Sequence, residues 1–110
     1  MQGTVLVLDD DPLMLKLVCM QVSSTGHAVR STDNAVDAAD LLKGASVLLT
    51  DLRLGHQDCT EVVEYARAHS IPVIVMTSDT EAARERFGRN VDVLAKPFSA
   101  QQLAMILGAV

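Results

Sequence analysis

The chain has 110 residues, 49% hydrophobic and 21% charged, with a formal net charge of −5. That length and balance fit one globular domain, residues 1–110, with a single core, and exclude a disordered or collagen-like chain. Aromatic residues make up only 3% and basic residues are few, so this domain is not expected to bind nucleic acid through stacking platforms or phosphate contacts.

The first element is TVLVL, Thr4 to Leu8, a short apolar run bounded by acids and read as a strand. Asp11 and Pro12 then supply an N-cap and a first helical residue, predicting a helix to about Thr25, where Gly26 stops it. HAVRST reads as a second or edge strand, DNAVDAADLLKG as a helix ending at Gly44, and SVLLTD as a third strand closing on Asp51. Asp58 and Glu61 resemble a capping box before CTEVVEYARAH. IPVIVMTSD is the fourth strand, with Pro72 at its start, where a missing N–H is tolerated. Ser78 and Glu81 are expected to cap a short charged helix ending at Phe87 and Gly88, VDVLA is the fifth strand, and Ser99 with Gln102 opens a terminal helix.

Five apolar strands alternating with five helices predict an α/β, doubly wound, three-layer domain with a parallel sheet covered on both faces. No apolar run approaches the roughly 20 residues that span a bilayer, and MQGTVLVLDDD lacks a basic signal-peptide region, so a cytoplasmic place without membrane contact is expected. Cys19 and Cys59 belong to no CxxC pattern, and His27, His56 and His69 show no metal-ligand spacing.

In open parallel sheets ligands bind beyond the carboxyl ends of the strands. There the chain places Asp9, Asp10 and Asp11 after the first strand, Asp51 after the third, Thr77 and Ser78 after the fourth, and Lys96 after the fifth. Two like charges about 4 Å apart repel by roughly 1 kcal/mol in water and about 4 kcal/mol near a partly buried surface, so adjacent acids call for a cation. Asp11 is read as the helix cap. Asp9 and Asp10 are read as ligands for a hard cation such as Mg²⁺, and Asp51 as a nucleophile that takes a phosphoryl group. The Lys96 ammonium and the Thr77 hydroxyl are read as stabilising charge on the phosphoryl oxygens.

LDDDP, LLTDLRL, VIVMTS and AKPF, in that order and spacing, resemble the response-regulator receiver domain, the phospho-accepting half of two-component signalling. The resemblance covers nearly the whole chain. It implies a flavodoxin-like (βα)5 fold with strand order 2-1-3-4-5, Asp9 and Asp10 as the acidic pair, and Asp51 as phosphoacceptor. It also implies Thr77 as switch hydroxyl, the Arg53 backbone carbonyl as a further Mg²⁺ ligand, and a Lys96–Pro97 peptide that is commonly cis. The implied donor is a histidine kinase or histidine phosphotransfer protein. The implied chemistry is self-phosphotransfer and slow autodephosphorylation rather than enzymatic turnover. No output domain follows Val110, so a stand-alone receiver or one excised from a larger regulator or hybrid kinase is expected.

Four departures stand out. Gly55 and Cys59 occupy positions where the family usually has proline and glycine, Val93 stands where many receivers carry an aromatic switch residue, and the segment from Thr77 to Lys96 is a few residues short. By the same resemblance Arg53 and Asp79 occupy positions that flank the implied phosphorylation site, where a charge pair between them is one arrangement expected for the empty site. The first helix is apolar nearly all round; an ideal helical wheel puts Met14, Leu17, Val18 and Gln21 inward and predicts a partner-docking patch of Leu15, Cys19 and Met20, with Met105.

Other classes share parts of this pattern. A haloacid-dehalogenase-like phosphatase places its nucleophile first in a D-x-D pattern, whereas Asp51 begins DLR. An FMN carrier needs its phosphate loop after the first strand, whereas SSTGH follows the first helix. A degenerate receiver, acting only as a phosphorylation-independent binding module, is expected to lack one of Asp51, Thr77 or Lys96.

Overall fold

Successive residues of a strand point to opposite faces, so a strand apolar at every position needs cover on both sides. The computed structural model describes residues 3–110. In chain order its elements are β1 (Thr4–Leu8), α1 (Pro12–Ser24), β2 (Ala28–Thr32), α2 (Ala35–Leu41), β3 (Val47–Asp51), β4 (Arg53–Leu54), β5 (Gln57–Asp58), α3 (Thr60–Ala68), β6 (Val73–Thr77), α4 (Thr80–Phe87), β7 (Asp92–Ala95) and α5 (Ala100–Ala109). Five parallel strands form one sheet in the order β2-β1-β3-β6-β7, which is the expected 2-1-3-4-5 arrangement of the five long strands.

The two faces divide the core by alternation. Val5 and Val7, Val47 and Leu49, Ile74 and Met76 join Val18 and Val22 of α1 and Leu103 and Leu107 of α5. Their strand neighbours Leu6 and Leu8, Leu48, Val73 and Val75 instead meet Ala38, Val63, Ala66, Ala83 and Phe87 from α2, α3 and α4. Among the described residues no helix is long and apolar enough to cross a membrane.

Local chemistry sets the element ends. The Asp11 carboxylate accepts from the Leu13 and Met14 N–H groups and Pro12 opens α1, while Gly26 follows the helix at φ +92°. The Ser99–Gln102 capping box of α5 is complete in both directions. Helix α2 ends earlier than its sequence pattern suggested, because the Arg30 guanidinium donates to the Leu41 and Lys43 carbonyls and the chain turns there.

Two caps are shifted from expectation. Asp79, not Ser78, caps α4 by accepting from Ala82 N–H at 3.0 Å. Asp58 accepts from Thr60 N–H at 2.9 Å, and Cys59, the residue at the start of α3, caps nothing with its side chain.

The wheel of α1 is also turned. Leu17, expected inward, is 48% exposed, whereas Leu15 and Cys19 pack against the core beside Val18 and Val22. Apolar residues surround this helix so completely that their spacing could not set its phase.

Candidate functional site

Each chemistry-bearing residue stands at the end of a strand whose interior is core. Asp9 follows β1 and is fully buried, Asp51 ends β3, Thr77 ends β6 and is buried, and Lys96 follows β7. Parallel pairing of β1 with β3, β3 with β6, and β6 with β7 brings these ends to one rim. Asp10 is exposed at that rim, and carboxylate oxygens of Asp9, Asp10 and Asp51 lie within 4.8 Å of one another.

One cation already answers part of this negative charge. Lys96 Nζ lies 3.1 Å from Asp51 Oδ1 and 3.9 Å from Asp9 Oδ2, and it precedes a cis peptide bond to Pro97. Asp51 Oδ1 also accepts from Leu52 N–H at 3.1 Å, which leaves Oδ2 without a hydrogen bond among the described residues. A cleft of about 400 Å³ opens beside Asp51, lined also by Arg53, Thr77, Ser78, Asp79 and Lys96.

Asp9 is the strained member of the group. Its Oδ1 accepts from Asp11 N–H at 2.9 Å, but its Oδ2 is buried with no hydrogen-bond partner. Burial pushes its carboxyl above the ordinary 3.8. The Asp11 hydrogen bond opposes this, Asp51 adds to it, Lys96 opposes it and Asp10 adds again. A buried carboxylate oxygen without a hydrogen bond is what a hard oxygen-seeking cation would satisfy, so the donor set fits Mg²⁺.

The Thr77 hydroxyl is engaged locally, accepting from Asp79 N–H at 2.9 Å. Asp79 spends its carboxylate on Ala82, and no Arg53–Asp79 pair occurs among the ion pairs of the described residues.

Sequence reading missed the short antiparallel hairpin β4–β5, in which Arg53 pairs with Asp58 and Leu54 with Gln57. Gly55 turns it at φ +64° while His56 keeps φ negative, the sign pattern of a type II′ turn. Cys59 N–H donates to Leu52 O, so by antiparallel alternation Arg53 and Asp58 form the pair that exchanges no hydrogen bonds. The ladder therefore leaves the Arg53 carbonyl free. The only available signal was Gly55 itself, since two-residue strands carry no readable alternation.

The docking residues separate into two groups. Leu15, Cys19 and Met20 line a groove of about 690 Å³ between α1 and β2, while Met105 on α5 is exposed and not part of that lining. The two thiols differ in kind. Burial, then the neighbouring Asp58 charge, pushes the buried Cys59 up to about 12, and burial also raises the partly exposed Cys19 while a Ser31 hydrogen bond opposes it. A maleimide is therefore expected to label Cys19 in the native protein and Cys59 only on unfolding, read by intact mass and peptide mapping; equal labelling would contradict the burial of Cys59.

Comparison with known proteins agrees with this geometry. The family model for the response regulator receiver domain matches residues 5–107. The chain is 28% identical over 109 residues to transcriptional regulatory protein GltR of Pseudomonas aeruginosa, covering 91% of this chain and 45% of that protein. It is 29% identical over 110 residues to two-component response regulator ARR11 of Arabidopsis thaliana, covering 93% of this chain and 21% of that protein. The chain thus spans less than half the length of these relatives.

Among solved structures, a response regulator receiver domain protein from Clostridium thermocellum superposes with a TM-score of 0.86 at 18% identity, over 97% of this chain and 92% of that one. The receiver domain of sensor histidine kinase PA1611 from Pseudomonas aeruginosa, solved with a magnesium ion in its active-site cleft, gives a TM-score of 0.85 at 25% identity, over 99% and 97%. With the family matched from β1 into α5 and the acids, hydroxyl and lysine gathered at one sheet rim, the chain belongs to the response regulator receiver domain family.

Proposed function

We propose that this receiver domain accepts a phosphoryl group from a phosphohistidine onto Asp51. The observation that carries the reading is the Asp51 carboxylate held through Oδ1 by Lys96 at 3.1 Å, with Asp9 and Asp10 gathered beside it. Asp51 Oδ2 attacks phosphorus, an O–P bond forms, and the N–P bond of the donor breaks with its electron pair returning to the imidazole nitrogen. Asp9, Asp10, Asp51 and the Arg53 carbonyl would hold Mg²⁺, which when bound neutralises charge on the phosphoryl oxygens. Lys96 supplies a second positive charge from the protein side. Thr77 turns its hydroxyl from Asp79 N–H to a phosphoryl oxygen, loosening the entry to α4.

The domain turns over no separate substrate beyond self-phosphotransfer and slow loss of its own phosphoryl group. Its location is cytoplasmic, where the donor kinase domain or phosphotransfer protein is also found. The test is intact mass after acetyl phosphate with Mg²⁺. A labile adduct on Asp51 supports the reading. No adduct from any donor, including a cognate phosphohistidine, favours a phosphorylation-independent binding module instead.

The donor approaches along α1. Leu13, Leu17 and Met20 are exposed at i, i+4 and i+7, and an apolar groove of about 320 Å³ runs from Leu17 past Phe98 to Lys96. Leu17→Glu and Met20→Glu are expected to slow transfer from a cognate phosphohistidine protein at least about tenfold, which corresponds to the loss of about 1.4 kcal/mol. Labelling by acetyl phosphate should be unchanged in both. Equal loss with both donors would point to a damaged site rather than a docking face. Leu15 is the poorer probe, because it packs against the core.

A further inference from the structure

We propose that the β4–β5 hairpin and helix α4 act as one unit joined by Asp58 and Arg86, so that a cation in the acidic site is felt at α4. The inference rests on the site reading above and adds a route of regulation to it. Val93 is half-buried against the core and carries no ring, so a rotating aromatic at that position is not available.

The hairpin touches the acids at both of its ends. It leaves Leu52 directly after Asp51, and a Cβ placed on Gly55 would come within 3.3 Å of Asp10 Oδ2. Asp9, Asp10 and Asp51 would hold a cation, with the Asp10 carboxylate over which Gly55 lies shifting to meet it and the Arg53 carbonyl that the ladder leaves free available as a further ligand.

Asp58 carries that displacement onward. It stands directly across from Arg53 in the closely spaced pair of the ladder. One oxygen, Oδ1, accepts from Thr60 N–H at 2.9 Å at the start of α3, and the other, Oδ2, meets Arg86 Nη1 of α4 at 3.2 Å. The carboxylate thus bridges the hairpin, the first turn of α3 and the last turn of α4. Nearby, Arg84 donates to the Gly88 and Val91 carbonyls, so α4 is tethered at its C-terminal end while its N-terminal end hangs on the Thr77–Asp79 turn.

A ligand shifts a structural equilibrium only by its differential interaction with the two states. The Asp58–Arg86 pair is half-exposed, which limits the coupling it transmits to about two- to fivefold in affinity. Mg²⁺ alone is the probe, because the Thr77 route to α4 needs a phosphoryl group and the hairpin route does not.

Amide ¹H–¹⁵N spectra are followed through an Mg²⁺ titration of the wild-type chain, Arg86→Gln and Asp58→Asn, the last retaining an oxygen for Thr60 N–H. Wild type is expected to show Arg84, Arg86 and Phe87 moving with the same midpoint as Asp10 and Gly55. Both variants should keep the Asp10 and Gly55 response, lose most of the α4 response, and bind Mg²⁺ with an affinity altered about two- to fivefold. An α4 response of full size in either variant, or none in wild type while Gly55 responds, overturns the coupling alone. If Asp10 and Gly55 do not respond in wild type, the metal-site reading and the coupling both fall.

Discussion

Asp51→Asn is expected to bring phosphoryl incorporation to background with every donor, while leaving the fold and the affinity for a phosphohistidine partner close to wild type. The asparagine amide has no anionic oxygen to form an acyl phosphate, yet it keeps an acceptor for Leu52 N–H and nearly the same volume at the end of β3. Lys96→Ala provides the graded companion. It retains the nucleophile but removes the ammonium 3.1 Å from Asp51, and the rate of incorporation should fall about a hundred- to a thousandfold, the range for losing one preorganised electrostatic contact. Intact mass against time, with acetyl phosphate and Mg²⁺, separates the two outcomes. An Asp51→Asn protein labelled at the wild-type rate would move the acceptor elsewhere, with Asp10 the next carboxylate in reach.

The second large effect concerns stability, and its sign depends on the cation. Asp9→Asn should stabilise the chain at neutral pH in chelator by about 1–3 kcal/mol, because it removes a buried charge whose Oδ2 has no hydrogen-bond partner and only a long, 3.9 Å approach from Lys96. That is roughly 4 °C in melting temperature for each kcal/mol in a domain near 100 residues. In wild type the folded-state pKa of Asp9 lies above its unfolded value, so its favourable contribution is complete below the ordinary 3.8 and is lost as pH rises through the raised folded value. The gap between variant and wild type should therefore close at acid pH and widen toward neutrality. Mg²⁺ reverses the ranking. At a hundred times its dissociation constant it stabilises wild type by about 2.7 kcal/mol, whereas the variant should respond weakly. Paired urea melts at several pH values, with and without Mg²⁺, check both halves; a wild type more stable than Asp9→Asn in chelator at neutral pH would contradict the strain assigned to Asp9.

The fold was legible because its long strands are apolar on both faces. Leu48 and Leu49 could not both be buried in a one-faced sheet, and Pro72, Gly26 and Gly44 punctuate the chain where the elements change. The rim residues were legible for a related reason, since Asp9, Asp51, Thr77 and Lys96 each interrupt an apolar run at its end. The phase of α1 was not, because Leu13, Leu15, Leu17 and Met20 make every face look inward and only packing against β2, β1 and α5 decides among them. Ser78, Asp79 and Thr80 are all good cap formers in succession, so local preference left the register of α4 open until Thr77 took Asp79 N–H. The β4–β5 hairpin lies below the length at which alternation carries information. The Asp58–Arg86 pair joins residues 28 positions apart and exists only in three dimensions.

Placing each reactive group at or one residue past the end of a strand separates two kinds of inheritance. The strand interiors that hold Asp9, Asp51 and Thr77 in place are themselves buried, so drift among them is confined to changes that keep volume and spacing. The outward sides of α1 and α5, where Leu13, Met20 and Met105 stand in the open, can be rewritten without disturbing that spacing. Copies of such a domain can therefore diverge in whom they meet while keeping the same reaction, and insulation between parallel signalling lines becomes a matter of surface spelling rather than of chemistry.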